Sequence, residues 1–248
     1  MIRAVILAAG VGARLRPLTD DRPKAMLVVD GEPLLARLAR QLRAVGVTEL
    51  VVATGHAEES VRGVDAILCR NELYATTQNV VSLHACREHL TPVETWKLDG
   101  DLFLEDAFLE RLARAPLADD EMICAVERRG NLGDEEMKVE LDGDRIVRFG
   151  KAIPRGHAES AGVERIGSVA LSAIVHAVGA AVTGGETGLY YEDVYDRVLG
   201  GIHIPGSRLR RIPGIRARAV DIGDLAWTEI DTLADLQRAE GIARRLGA

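Results

Sequence analysis

Residues 5–24 read VILAAGVGARLRPLTDDRPK. Ile2 to Ala8 is an apolar run long enough for one buried strand, and it breaks at Gly10-Val11-Gly12. Glycines placed directly after a buried strand let the backbone turn sharply and bring its N–H groups close to a ligand. Arg14, Arg16 and Lys24 follow on the same loop. Guanidinium forks and an ammonium match phosphate oxygens. A strand that simply turns into solvated charges would also leave a lone Gly-x-Gly. The glycines taken together with Arg14 and Lys24 favour a phosphate loop.

Two familiar phosphate loops are excluded. No Gly-x-x-x-x-Gly-Lys-Ser/Thr string occurs, and Leu15 stands where the dinucleotide fingerprint needs a third Gly or Ala. A nicotinamide dehydrogenase is disfavoured on the same ground. The loop runs on to Lys24 before an amphipathic segment begins, the length of a flap over a nucleotide.

Outward from this loop, Met26 to Val29 reads as a short strand and Asp30-Gly31 as a turn. Pro33 suits the first position of a helix whose apolar face is Leu34, Leu35, Leu38, Leu42 and Val45. Glu49 to Thr54 and Ala66 to Cys69 read as strands, with a short helix over Glu58 to Arg62. Thr76 or Thr77 is expected to cap a helix running to His89, with Gln78 and Asn79 in its first turn. Glu94 to Leu98 is a strand that ends in Asp99-Gly100-Asp101. Carboxylates at the C-terminal end of a parallel strand stand where such sheets bind ligands, and an Asp-x-Asp pair there suits Mg²⁺ on phosphate oxygens. A plain Asp-Gly turn is the competing reading.

A helix over Ala107 to Ala115 and a strand over Met122 to Val126 come next, then a hairpin of Lys138 to Leu141 and Arg145 to Phe149. The polar stretch Arg128 to Glu136 reads as a loop over the site. Gly162 to Ala173 reads as an apolar strand and Ala173 to Val182 as a helix. Tyr190-Tyr191-Glu192-Asp193 opens another helix, and rings beside carboxylates suit a small cationic head group. Residues 206–218 hold a basic cluster, with Arg208, Arg210, Arg211, Arg216 and Arg218, read as a solvated edge. Ala219 to Ile222 and Trp227 to Ile230 read as the last short strands. Asp231-Thr232 then opens a helix to about Leu246, with Asp231 a candidate cap.

With 248 residues, 47% hydrophobic and 28% charged, the chain reads as an ordinary globular protein with ample core. The net charge of −7 argues against broad nucleic-acid binding. No apolar run approaches the ~20 residues that span a bilayer, and no secretory signal is read at the N-terminus. Cys69, Cys86 and Cys124 are widely spaced in apolar surroundings, as expected of reduced core cysteines in a cytoplasmic protein. The 6 histidines show no metal-ligand spacing and no nucleophile–base arrangement.

The string LAAG-x-G-x-R followed by Pro-Lys resembles the signature of nucleotidyltransferases that activate phosphorylated sugars and alcohols. The segment NELYATTQNVVSL most resembles phosphocholine cytidylyltransferases and their phosphonate-activating relatives; sugar-phosphate members usually show a Gly-rich string there. The resemblance implies an α/β fold: one domain with a mixed, mainly parallel, Rossmann-like sheet sandwiched by helices and a small antiparallel acceptor-side region. Residues 1–130 would bind the nucleotide, residues 131–230 the acceptor, and residues 231–248 would form a C-terminal helix. It further implies that Leu7, Ala8, Ala9, Gly10, Gly12 and Arg14 grip the triphosphate, with Lys24 at the α-phosphate. Gln78 and Asn79 would read the base, and Asp99 would support the nucleotide. Asp101 and Asp231 would hold the Mg²⁺ cofactor, with Asp99 as the second choice to Asp101 or as a support behind it.

On the acceptor side the resemblance points to Lys151 for a phosphate, Glu164 of the Glu-x-x-Gly string ending at Gly167, and Tyr190, Tyr191, Glu192 and Asp193. The expected reaction is transfer of CMP from CTP to a phosphorylated or phosphonate small molecule, of the phosphocholine or 2-aminoethylphosphonate type, with loss of pyrophosphate. The expected partners are CTP and that acceptor, without nucleic acid or membrane insertion and with room for a homodimer. Two alternatives stay open: a sugar- or cyclitol-phosphate nucleotidyltransferase using another NTP, and a regulatory module that binds a nucleotide without turnover.

Overall fold

The computed structural model describes residues 1–154, 156–199, 202–203, 211–212 and 214–247. Nine strands form the central sheet. They are β1 (Arg3–Leu7), β2 (Glu49–Thr54), β3 (Ile67–Arg70), β4 (Thr95–Asp99), β5 (Glu121–Glu127), β6 (Lys138–Asp142), β7 (Arg145–Phe149), β8 (Ala158–Ile166) and β9 (Arg216–Asp221). Their order is β3-β2-β1-β4-β8-β5-β9-β7-β6. The first four are mutually parallel, as are β5 and β9; β8 runs antiparallel between β4 and β5. The hairpin β6–β7 closes the far edge. The sheet is therefore mixed and mainly parallel, as the sequence predicts.

Every residue of β1 is buried, and alternate side chains go to opposite faces. Val5 and Leu7 join one core with α2 (Asn79–Ala85), α4 (Ser168–Thr183) and α5 (Tyr191–Leu199). Ala4 and Ile6 join the other with α1 (Leu34–Ala44) and α3 (Asp106–Arg114). A strand covered on both faces is apolar in its interior, which is why Ala4 to Leu7 read as a hydrophobic run; Arg3 at its start is buried but paired with Glu49. A third, smaller core gathers Leu15, Leu27, Phe103 and Ile230 against α6 (Leu233–Leu246) and pins the phosphate-loop region to the C-terminal helix.

Several elements differ from expectation, each for a local reason. The helix predicted from Thr76 begins at Asn79 with Gln78 as its cap and stops at Ala85. The Thr77 hydroxyl instead donates back to the Leu73 carbonyl at 2.8 Å, and Asn71 Oδ1 accepts from Leu73 N at 2.9 Å, so a turn consumes the capping residues. Pro33 is the cap of α1 and pairs in a two-residue ribbon with Val28. Glu58–Ser60 is a single 3₁₀ turn. The strand predicted over Gly162 to Ala173 is β8, which ends at Ile166, and α4 starts at Ser168. The Asp119 carbonyl accepts from the N–H groups of Val169 and Ala170 at 2.9 Å, and this fixes the helix start. Thr232, not Asp231, caps α6, through a reciprocal box with Asp235. Asp231 is thereby free to face the site.

In the basic cluster, Arg216 pairs with Asp120 at 2.6 Å and Arg218 with Glu121 at 3.1 Å. Arg208 and Arg210 lie outside the described residues, as does the side chain of Arg211. The three cysteines are free and buried. Among the described residues no helix is long and apolar enough to cross a membrane.

Candidate active site

The parallel register brings the site together. Leu7 on β1 stands opposite Asp99 on β4, so the glycine loop and the Asp-x-Asp turn leave the sheet at one edge. Gly100 N donates to Leu7 O at 2.9 Å and ties the two turns to each other. Gly12 has φ +63, and a Cβ there would lie 2.5 Å from Lys24 Cγ. A side chain at position 12 would be strained and would block the path of the Lys24 stem.

Two adjoining cavities open at this edge. One, of about 260 Å³, is lined by Leu7, Ala8, Ala9, Gly10, Gln78 and Asn79. The other, of about 630 Å³, has Lys151, Tyr190 and Glu192 on its wall, with Arg129 and Glu136 from the loop that reads as a cover. Lys24, Gln78, Asn79, Asp99 and Glu229 line both. Arg14 and Asp231 line the larger one, and Asp101 the smaller.

Where the cavities meet, the Lys24 ammonium bridges Asp101 and Asp231, with Asp231 Oδ1 at 2.6 Å. Arg14 Nη2 holds the other Asp231 oxygen at 2.6 Å. Burial works against the charge on Lys24, but the two aspartates outweigh it and hold the ammonium above its usual range. Burial likewise opposes the Asp231 carboxylate; Lys24 and Arg14 win and keep it below its usual value. Carboxylate oxygens of Asp101, Glu229 and Asp231 lie within 4.8 Å of one another. Asp101 Oδ1 is buried without a hydrogen-bond partner among the described residues. The Asp101 charge, with burial and Asp231 behind it, pushes Glu229 up to about 9. Three converging carboxylates with an orphaned oxygen are a hard-oxygen donor set that fits Mg²⁺.

Glu229 is absent from the sequence reading. The available signal is its spacing: in Trp-Thr-Glu-Ile-Asp, residues 229 and 231 are two apart on extended chain and project to one side.

Beneath the larger cavity lies a second cluster that sequence reasoning did not find. Lys97, 1% exposed, reaches Asp99 at 3.1 Å and Glu164 at 3.3 Å. Its ammonium sits 3.2 Å from the centroid of the Tyr191 ring, and the Tyr191 hydroxyl donates to Asp99 Oδ2 at 2.7 Å. Both Asp99 oxygens are thus held by protein. Gly162 makes room for them: its φ is +69, and a Cβ there would meet Asp99 Oδ2 at 2.5 Å. The sequence signal was Lys97 itself, a lone charge inside the buried strand ETWKL, which requires a partner.

The tyrosine–acid segment is divided by the structure. Tyr190 lines the cavity with the Lys151 ammonium 4.7 Å from its centroid, and Lys151 also pairs with Glu135 at 3.8 Å. Glu192 lines the cavity as well. Tyr191 points into the core instead, and Asp193 turns back to accept from Tyr190 N at 2.8 Å. Glu164 is fully buried and meets Lys97, and Gly167 packs against Ala118 and Asp119; neither lines a cavity. Gly12 shapes the loop without lining either cavity.

Burial pushes Glu164 up to about 7 and Glu192 up to about 8, in each case against the pull of Lys97. Both lie above the ordinary 4.5, so the folded chain holds more protons than the unfolded one between about pH 4.5 and 8. Their contribution is full at the acid end of that window and is lost as pH rises through it. Urea unfolding across the window should show stability falling with pH, and Glu164→Gln should flatten the slope. An unchanged slope in the variant would remove Glu164 as its source.

The chain belongs to the MobA-like NTP transferase domain family, whose profile matches residues 4–187. Among its relatives is the CMP-5'-(3-aminopropyl)phosphonate synthase of Streptomyces rubellomurinus, 30% identical over 96% of this chain and 38% of that protein. A second is the bifunctional IPC transferase and DIPP synthase of Rubrobacter xylanophilus, 31% identical over 96% of this chain and 51% of that protein. The chain therefore spans about half or less of the length of these two relatives. The fold matches that of the CTP:phosphocholine cytidylyltransferase from Streptococcus pneumoniae, with a TM-score of 0.76, 21% identity, and coverage of 98% of this chain and 99% of that one.

Proposed function

We propose that the chain transfers CMP from CTP to a small phosphorylated or phosphonate acceptor that carries a positive charge, releasing pyrophosphate. The observation that carries this reading is Lys24, which lies between Asp101 and Asp231 where two cavities share a wall. One cavity takes the nucleotide: the β1 loop faces the triphosphate, and the amides of Gln78 and Asn79 have donors and acceptors for a base edge. The other takes the acceptor. An acceptor phosphate or phosphonate oxygen attacks the α-phosphorus, the α–β bridging bond breaks, and its electron pair leaves with pyrophosphate. The nucleophile is already anionic, so no general base is required.

Lys24 and Arg14 orient the phosphates and offset charge as it builds on them. Asp101, Asp231 and Glu229 would hold Mg²⁺, which when bound supplies further charge neutralisation at the phosphate oxygens. The choice of CTP and of a cationic acceptor is supported by the relatives named for CMP transfer to a phosphonate and for phosphocholine. Glu192 on the acceptor wall agrees with that charge, while Glu159 and Glu136 there are already paired with Arg129. A cyclitol phosphate is the second reading, supported by the IPC transferase relative.

The test is pyrophosphate release with Mg²⁺, crossing the common NTPs with phosphocholine, 2-aminoethylphosphonate and several sugar and cyclitol phosphates. Release with CTP and a cationic acceptor is the expected result. Release only with sugar or cyclitol phosphates would keep the phosphate loop and discard the acceptor assignment. Nucleotide binding without turnover on any acceptor would favour the regulatory module.

A further inference from the structure

We propose that the acceptor cavity is built for a primary ammonium group, read by Glu192 and Ser160; this rests on the acceptor reading above and narrows it. Glu192 is 5% exposed, lines the cavity, and has Oε2 without a hydrogen-bond partner among the described residues. Ser160, on β8, is 8% exposed, lines the same cavity, and its hydroxyl also lacks a partner there. Buried oxygens of this kind need a donor, because an unmade hydrogen bond costs the full desolvation of the group. No salt bridge to Glu192 forms among the described residues: Lys97 is committed to Asp99 at 3.1 Å and Glu164 at 3.3 Å and only partly offsets the burial of Glu192, so an arriving ammonium supplies the charge that would favour its carboxylate.

A primary ammonium brings N–H donors that these unpartnered oxygens can accept. A quaternary ammonium brings none, and its methyl groups would seal the two oxygens away from water. Quaternary head groups are held instead by cages of aromatic faces. Among the described residues this cavity is lined by two aromatic rings, Tyr190 and Trp227. The Tyr190 face already carries Lys151 at 4.7 Å, and the Tyr191 ring is turned inward onto Lys97. Trp227 also lines the cavity, but its ring is engaged with Phe108, the centroids 6.5 Å apart. The recognition chemistry is that of hydrogen-bond acceptors.

The experiment is pyrophosphate release with CTP and Mg²⁺ over one acceptor series: 2-aminoethylphosphonate and its N-methyl, dimethyl and trimethyl forms. Wild type, Glu192→Gln and Ser160→Ala are compared, and the KM for CTP reports on the nucleotide side. In the wild type the acceptor KM should rise by about tenfold or more from the primary amine to the trimethyl form. Ser160→Ala should raise KM for the primary amine and leave the trimethyl form unmoved, and Glu192→Gln should collapse the preference. If Glu192→Gln does not fold, the Ser160→Ala comparison carries the test. Equal KM across the series, a preference for the trimethyl form, or a preference that survives the variants overturns this inference alone. Turnover confined to sugar or cyclitol phosphates overturns the cationic-acceptor reading, and this inference with it.

Discussion

Lys24→Ala is expected to lower kcat by about 10²–10³-fold while the protein stays folded, because one preorganised charge facing a transferring phosphate is worth that much. Several features converge on the position of this lysine. Gly12 leaves space for its stem, the 3₁₀ turn Lys24–Met26 aims it, and Asp101 with Asp231 fixes its ammonium. The effect should fall mainly on kcat, since the charge that Lys24 meets grows as the α–β bond breaks. The CTP KM should move less. Lys24→Arg should recover little, because a planar fork does not replace a compact ammonium seated between two carboxylates. Initial rates of pyrophosphate release, run beside thermal unfolding, check this. A near-normal rate in a folded Lys24→Ala protein would falsify the phosphate-loop assignment.

How much of this was legible in the sequence depends on how local the cause is. An apolar run that breaks into Gly-x-Gly announces a buried strand and a close-approach loop, because both follow from backbone sterics within a few residues. The Asp-x-Asp turn is legible for the same reason. The ion pair of Lys24 with Asp231 is not: it spans 207 residues and depends on α6 packing onto Leu15 and Leu27. Nor is the fate of the two tyrosines. Adjacent rings in sequence look like two walls of one cation pocket. A helix start sends them to different sides, and each meets a lysine of the protein itself. Lys97 and Glu164 illustrate the converse: each looks ordinary alone, and only the antiparallel pairing of β4 with β8 sets them opposite one another. Burial then makes the pair obligatory, since a lone charge there would have no compensation.

Asp101→Asn is expected to cost about 10³-fold in kcat/KM, since a metal ion that clamps phosphate oxygens contributes several kcal/mol to the transition state. Asp101 and Asp231 differ in their surroundings, and their variants should differ too. Asp231 is shared among Lys24, Arg14 and the candidate metal position, so Asp231→Asn also loosens both cations that face the triphosphate. It should therefore raise the CTP KM as well as lower kcat. Asp101 carries a buried oxygen with no partner among the described residues, the mark of an atom kept for a ligand. Asp101→Asn should thus show its loss chiefly as a rise in the Mg²⁺ concentration needed for half-maximal rate. The double variant should be little worse than the more damaged single one, because the two oxygens act on one ion. Glu229→Gln separates a direct ligand from a bystander: a shifted Mg²⁺ requirement makes it a third ligand, and an unshifted one leaves it a neighbour whose proton the other carboxylates hold in place. Calorimetric titration of Mg²⁺ into the CTP-bound protein reads the same ranking without turnover. If Asp101→Asn bound the metal as the wild type does, the metal would have to be held elsewhere, and the convergence of these carboxylates would be only a surface charge cluster steadied by Lys24.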